Sequence, residues 1–145
     1  LSFFNTKSNA SLVDLGSGAG FPGLIISIFN KNPRFHVKLY EKSKIKRKFL
    51  NIIKEKLRID VDIRENVYQE KIINADIIVA RAFKKLEEII KISRETVKKP
   101  HKIIVLKGKN AQEEINNISL EQNYSYKLVK SITNIDSKII IVNAK

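Results

Sequence analysis

Ser11-Leu-Val-Asp14-Leu-Gly16-Ser-Gly18-Ala-Gly20-Phe-Pro-Gly23-Leu-Ile-Ile-Ser-Ile-Phe29 joins three kinds of sequence in one run. Ser11-Leu-Val-Asp-Leu15 is short and apolar, with the look of a buried strand. The glycine cluster interrupts it, and Leu24-Ile-Ile-Ser-Ile-Phe29 continues at helical length. Strand, glycine loop and helix therefore follow one another. A glycine-rich turn at that junction allows positive φ and close approach of a ligand to the backbone, with unpaired helix N-terminal amides expected to face it.

The pattern repeats downstream. Residues 35–41 (Phe-His-Val-Lys-Leu-Tyr-Glu) read as a second strand. Residues 45–57 carry apolar side chains at 45, 49, 50, 52, 53 and 57, close to one helical face. Strands are expected at 61–63, 75–80 and 102–107, and helices at 86–97 and 111–118. Residues 124–132 and 138–142 are β-rich and near enough to pair as an antiparallel hairpin. Such alternation predicts an α/β fold: a mostly parallel sheet with right-handed crossovers, helices on both faces and a C-terminal antiparallel hairpin. In such sheets ligands sit beyond the carboxyl ends of the strands, here at the switch point between the first and fourth.

Composition sets the outer limits. At 145 residues, with 43% hydrophobic residues, five Gly and three Pro, the chain is sized for one domain, 1–145, and is too apolar for disorder. No Cys and two His remove disulfides, thiolate nucleophiles and Cys-containing zinc sites, so no metal is expected. No apolar run approaches a membrane span, and a cytoplasmic, monomeric protein without membrane contact is the expectation. The 28 Lys+Arg against 15 Asp+Glu give +13, a field that favours nucleic acid, although an AT-rich genome, which drives codon use toward Lys, Ile and Asn, would yield much of the charge. A chain opening on Leu1 with no Met reads as a fragment or processed product.

The loop points to a nucleoside. Glu41 lies 21 residues beyond Gly20, at the end of the second strand, where a carboxylate can accept both hydroxyls of a ribose. Gly18 to Gly23 satisfies G-x-G-x-x-G, which leaves an NAD(P)-linked reductase open. The glycines nevertheless begin at Gly16, two residues after Asp14, and this acid with G-x-G-x-G resembles the loop of class I S-adenosylmethionine-dependent methyltransferases. A pyrophosphate beside Asp14 would meet like-charge repulsion, whereas a donor with an α-ammonium would not. A tight βα turn without a ligand is the alternative use of the glycines. The closing hairpin also resembles the added antiparallel strand of those Rossmann-like enzymes.

The run Asp14 to Gly23, followed by Lys46-Arg-Lys-Phe-Leu50, Arg81-Ala-Phe83 and Leu106-Lys-Gly108, resembles the RsmG (GidB) family from Ser11 onward. That resemblance implies methyl transfer to guanine N7 in 16S ribosomal RNA, with naked RNA or the small ribosomal subunit as partner. It also implies an N-terminal helical segment, of which Leu1 to Phe4 would be only the tail. By the family's pattern Gly16 and Phe21 would contact the donor, beside Gly18, Gly20 and Glu41 already read from the loop and the acid after the second strand. The region Asn66-Val67-Tyr68 would frame its adenine, with Tyr68 replacing an acid often found there. Arg81 would stand between donor and substrate, a structural salt bridge being the alternative.

Between Lys42 and Arg58 there are eight basic residues against one acid, Glu55. Lys46, Arg47 and Lys48 are therefore candidates for RNA contact, with a solvated helix face as the alternative. Lys84, Lys107 and Lys109 follow the fourth and fifth strands and are candidates at the mouth. His36 and His101 lack partners for a triad or a metal and read as structural. Guanine N7 has a free lone pair and no proton to lose, so no general base is expected and no catalytic acid or base is assigned. Phe83 suits either stacking on a flipped base or packing in the core. A non-catalytic RNA-binding module with this fold is the remaining alternative.

Overall fold

A computed structural model describes residues 9–118, 124–131 and 136–145. The possible helical tail at Leu1 to Phe4, the end of the sixth strand at Ile132 and most of the hairpin connection lie outside these residues. Strands β1 (Ser11–Leu15), β2 (His36–Tyr40), β3 (Asp62–Arg64), β4 (Ile77–Arg81), β5 (His101–Lys107), β6 (Tyr124–Lys130) and β7 (Lys138–Ala144) form one sheet of order β3-β2-β1-β4-β5-β7-β6. β1 pairs in parallel with both β2 and β4, so the chain reverses its direction of growth at β1. The crevice expected there follows from this order.

Among the described residues four α-helices lie in the connections, α1 (Gly23–Phe29), α2 (Lys44–Leu57), α3 (Leu86–Thr96) and α4 (Ala111–Asn116), and a single 3-10 turn at Val67–Gln69 lies between β3 and β4. α2 starts where the Ser43 side chain accepts from the Lys46 amide, and it ends at Arg58, whose left-handed backbone returns its amide to the carbonyls of Lys54 and Glu55. α3 carries Glu87 and Glu88 in its first turn and Arg94 in its last, charges that complement its dipole.

Strand alternation divides the interior in two. Leu12, Val37, Leu39, Val79 and Ile104 face α1 and α2, packing with Leu24, Ile26 and Leu50. Val13, Leu15, Ile78, Ala80, Ile103, Val105, Ile140 and Val142 face α3 and α4, packing with Leu86, Ile89 and Ile115. Each fully buried aliphatic side chain contributes roughly 1.5–3 kcal/mol.

The hairpin was legible, but its place in the sheet was not. β7 lies between β5 and β6, antiparallel to both, leaving β6 at the edge. Ile140, Ile141 and Val142 form a run buried on both faces, whereas β6 is largely exposed and carries Lys127 and Lys130. Burying both faces requires the continuous apolar strand inside and the charged one at the rim. Other departures are small: β3 and β4 begin one and two residues later than read, and α4 stops at Asn116.

Candidate functional site

The loop after β1 is built by carboxylates. Gly16, Gly18 and Gly20 have φ of 73°, 59° and 98°. The Gly16 and Ser17 amides donate to the Tyr40 carbonyl at 2.9 and 3.0 Å, tying the loop to the end of β2. The Gly18 amide donates to Glu41 Oε2 at 2.8 Å, and Gly23, first residue of α1, donates to Asp14 Oδ2 at 2.8 Å. The expectation of bare amides facing a ligand is therefore corrected. These four amides have protein acceptors: the Tyr40 carbonyl takes two of them, and the buried acids Glu41 and Asp14 take one each.

That arrangement separates the two cofactor readings. A dinucleotide's pyrophosphate needs the helix N-terminal amides, and Asp14 already occupies the one at Gly23. Asp14 is fully enclosed, its Oδ1 has no partner, and burial pushes its carboxyl up from 3.8 to about 6 despite the Gly23 amide. The NAD(P) reading is not favoured by this geometry.

A folded-state pKa above the unfolded value means that the native state holds the proton more tightly between about pH 4 and 6. Stability is thus lost as pH rises through that window, by up to about 3 kcal/mol. The Tm of the protein should fall relative to Asp14→Asn between pH 4 and 6 and stay offset above it. Parallel Tm curves for the two would contradict a buried, titrating Asp14.

Glu41 is 8% exposed, and its oxygens accept from Gly18 and, at 2.8 Å, from the Ser43 amide. Each oxygen keeps a second lone pair, so the carboxylate is oriented and still able to accept ribose hydroxyls. It lines a cleft of about 300 Å³ with Gly16, Tyr40, Asn66, Val67, Tyr68, Ala82 and Phe83. The Phe83 ring packs over Gly16 so closely that a Cβ there would come within 2.5 Å of it. Phe83 is thus partly buried against the core and forms a wall.

Val67 is buried at the back of this cleft. Tyr68 stands exposed at the rim, its hydroxyl donating to Glu88 at 2.5 Å. Partial burial and the Glu88 carboxylate raise that hydroxyl to about 12, so it stays a neutral donor. Lys84 pairs with the same carboxylate at 3.2 Å. Asn66 caps the turn by accepting from the Tyr68 amide at 3.1 Å. Asn66 lines the cleft with Val67 and Tyr68, the three neighbours named together from the sequence. Glu88 is the residue at this rim that the sequence reading did not single out, because it arrives there only through the β4–α3 crossover.

Arg81 ends β4 with its guanidinium 5.7 Å from the centroid of the exposed Phe21 ring, a cation–π distance. No carboxylate pairs with it among the described residues, so the salt-bridge alternative does not hold there. It opens onto a second cleft of about 430 Å³, lined also by Ala82, Leu106, Lys107, Gly108, Ser131, Ser137, Lys138 and Ile139. Ala82, at φ 51°, belongs to both clefts. A non-glycine residue in this region is unusual, and here it turns the chain between the two recesses.

Two of the candidate RNA contacts are held inward. Arg47 donates to the carbonyls of Glu41 and Lys42 at 2.9 and 2.7 Å and pairs with Glu65 at 3.0 Å. Lys107 donates to the Lys84 carbonyl at 2.8 Å and pairs with Glu114 at 2.8 Å. Both side chains brace walls of the clefts, an engagement that their sequence reading as RNA contacts did not include. Lys46 and Lys48 are exposed on α2, and Lys109 is exposed with Asp136 3.5 Å away. His36 is exposed, and His101 is buried at the opposite end of the sheet between Ser93 and the Lys99 carbonyl.

A carboxylate-built loop, an acid at the end of β2 and two recesses meeting at Ala82 can be set beside other proteins. The chain is 33% identical over 143 residues to ribosomal RNA small subunit methyltransferase G of Pelagibacter ubique (strain HTCC1062), covering 97% of this chain and 67% of that protein. It is 37% identical over 131 residues to the protein of that name from Orientia tsutsugamushi (strain Ikeda), covering 89% of this chain and 63% of the relative. It thus spans about two thirds of the length of these relatives. The fold matches M. jannaschii TYW2, solved in complex with AdoMet, at a TM-score of 0.66 and 16% identity, covering 94% of this chain and 68% of the other. The model of the GidB family, rRNA small subunit methyltransferase G, matches residues 1–140, and with it the glycine loop, Glu41 and Arg81 described above: the chain belongs to that family.

Proposed function

We propose that this chain carries out methyl transfer from S-adenosylmethionine to N7 of a guanine in 16S ribosomal RNA. The observation that carries the reading is the pair of recesses sharing Ala82, one with Glu41 at its floor and the other beside Arg81. The residues present suit the donor. Glu41 offers two oriented acceptors for the ribose, Val67 and Tyr68 bound the adenine side, and the orphaned Asp14 Oδ1 leaves negative potential behind the loop where a cationic group is favoured. When bound, the donor supplies an electrophilic methyl group on a sulfonium.

The protein's part is alignment. Guanine N7 attacks through a free lone pair, so no side chain has to remove a proton. Arg81, braced on Phe21, keeps the boundary between the recesses and presents a cation to the RNA side. Ala82, which lines both recesses, and Phe83, packed on Gly16, form the wall between donor and target.

The test is incorporation of labelled methyl into 16S ribosomal RNA or small subunits, mapped by strand cleavage specific for 7-methylguanine. One cleavage position is expected. Donor binding without transfer would favour the non-catalytic module, and label on another atom would overturn the target. Arg81→Ala should lower kcat/KM by about tenfold or more, as loss of a charged contact of about 1.5–3 kcal/mol requires.

A further inference from the structure

The last two strands place like charges side by side at the mouth of the second cleft. Lys107 on β5 lies opposite Lys138 on β7, and Lys138 lies opposite Lys130 on β6. Residues paired in this way project to the same face with Cβ atoms about 5 Å apart, an arrangement that destabilises a sheet when the charges are alike. Lys107 is neutralised by Glu114. Lys138 and Lys130 have no ion-pair partner among the described residues. The cleft beside them is lined by Arg81, Lys107 and Lys138 with the hydroxyl residues Ser131 and Ser137, and among the described residues no carboxylate lines it. The first cleft, by contrast, includes Glu41 and Glu65. Asp136 of the hairpin lies 3.5 Å from Lys109.

From this we infer that Lys138 and Lys130, with Ser137, form a binding subsite for a backbone phosphodiester of the RNA strand that carries the target base. An anion seated over the row relieves the Lys–Lys repulsion, and hydroxyl residues beside two uncompensated ammonium groups supply directional donors for phosphate oxygens. The position fits the task. β7 starts and β6 ends at the same rim where β4 and β5 end, so a phosphate there lies at the outer edge of the cleft bounded by Arg81. The inference rests on the proposed function, since it takes the second cleft as the RNA side.

The experiment measures affinity of the intact protein for a 16S-derived RNA oligonucleotide across a salt series. It compares the wild type, Lys130→Gln/Lys138→Gln, Lys130→Arg/Lys138→Arg and, as a control, Lys31→Gln at an exposed position in the connection that leads into the start of β2. S-adenosylhomocysteine affinity is measured in parallel. The glutamine pair should weaken RNA binding about tenfold at physiological salt and flatten the slope of log K against log salt by about 1.4, two contacts at about 0.7 each. The arginine pair should keep the wild-type slope, and donor affinity should be equal in all. A glutamine pair that matches Lys31→Gln in affinity and slope overturns the subsite while leaving the methyl-transfer reading intact. Absence of S-adenosylhomocysteine binding in the wild type would instead overturn that underlying reading.

Discussion

Glu41→Ala is expected to reduce affinity for S-adenosylhomocysteine by a hundredfold or more while leaving the protein folded. The carboxylate performs two jobs from one buried position, fixing the loop through the Gly18 amide and the α2 entry through the Ser43 amide. Its spare lone pairs face the first cleft. Alanine removes both ribose acceptors and releases the loop, and two charge-assisted hydrogen bonds at roughly 1.5–3 kcal/mol each give at least about a hundredfold. The freed amides lie beside an open cleft where water can reach them, so the Tm should change little. Glu41→Gln keeps the shape and one acceptor and should fall between the two. Calorimetric titration checks the series. An unchanged affinity in Glu41→Ala would remove the carboxylate from the donor site.

The second large effect concerns stability. Gly23→Ala should lower Tm by about 10 °C or more, although alanine is ordinarily the better helix former. A Cβ at this position would come within 2.6 Å of Leu39 Cδ2 and 2.7 Å of Asp14 Oδ2, both in the closed interior. Overpacking there costs about 1–3 kcal/mol. Displacing Asp14 from the Gly23 amide would also leave a buried carboxylate unsatisfied, for roughly another 1–3 kcal/mol. Scanning calorimetry of the two proteins decides. Equal Tm values would mean that α1 can slide away from β1 freely and that the Asp14 bond does not fix it.

These two residues also show how far the chain could be read before folding. Glu41 was legible as a ribose acceptor from its distance to the glycines and its place after a strand. Gly23 was legible only as the close of a glycine motif. What it does, giving its amide to Asp14 so that the acid replaces a phosphate at the head of α1, depends on two segments meeting in space. The inward turn of Arg47 and Lys107 escaped sequence reading for the same reason. Their partners, Glu65 and Glu114, lie on other elements, and a lysine or arginine carries no local mark of whether it faces solvent or a neighbouring carboxylate.

By itself the sequence determined the α/β alternation, the strand–glycine–helix junction and the family. Each of these depends on residues close together along the chain: periodicity, turn chemistry and motif spacing. Tertiary structure alone decided that β7 rather than β6 lies inside the sheet. It also decided that the loop amides are held by acids and that Lys107, Lys138 and Lys130 stand in one row. Those outcomes follow from strand register and burial, which sum contacts between distant segments and have no expression in any single stretch of chain.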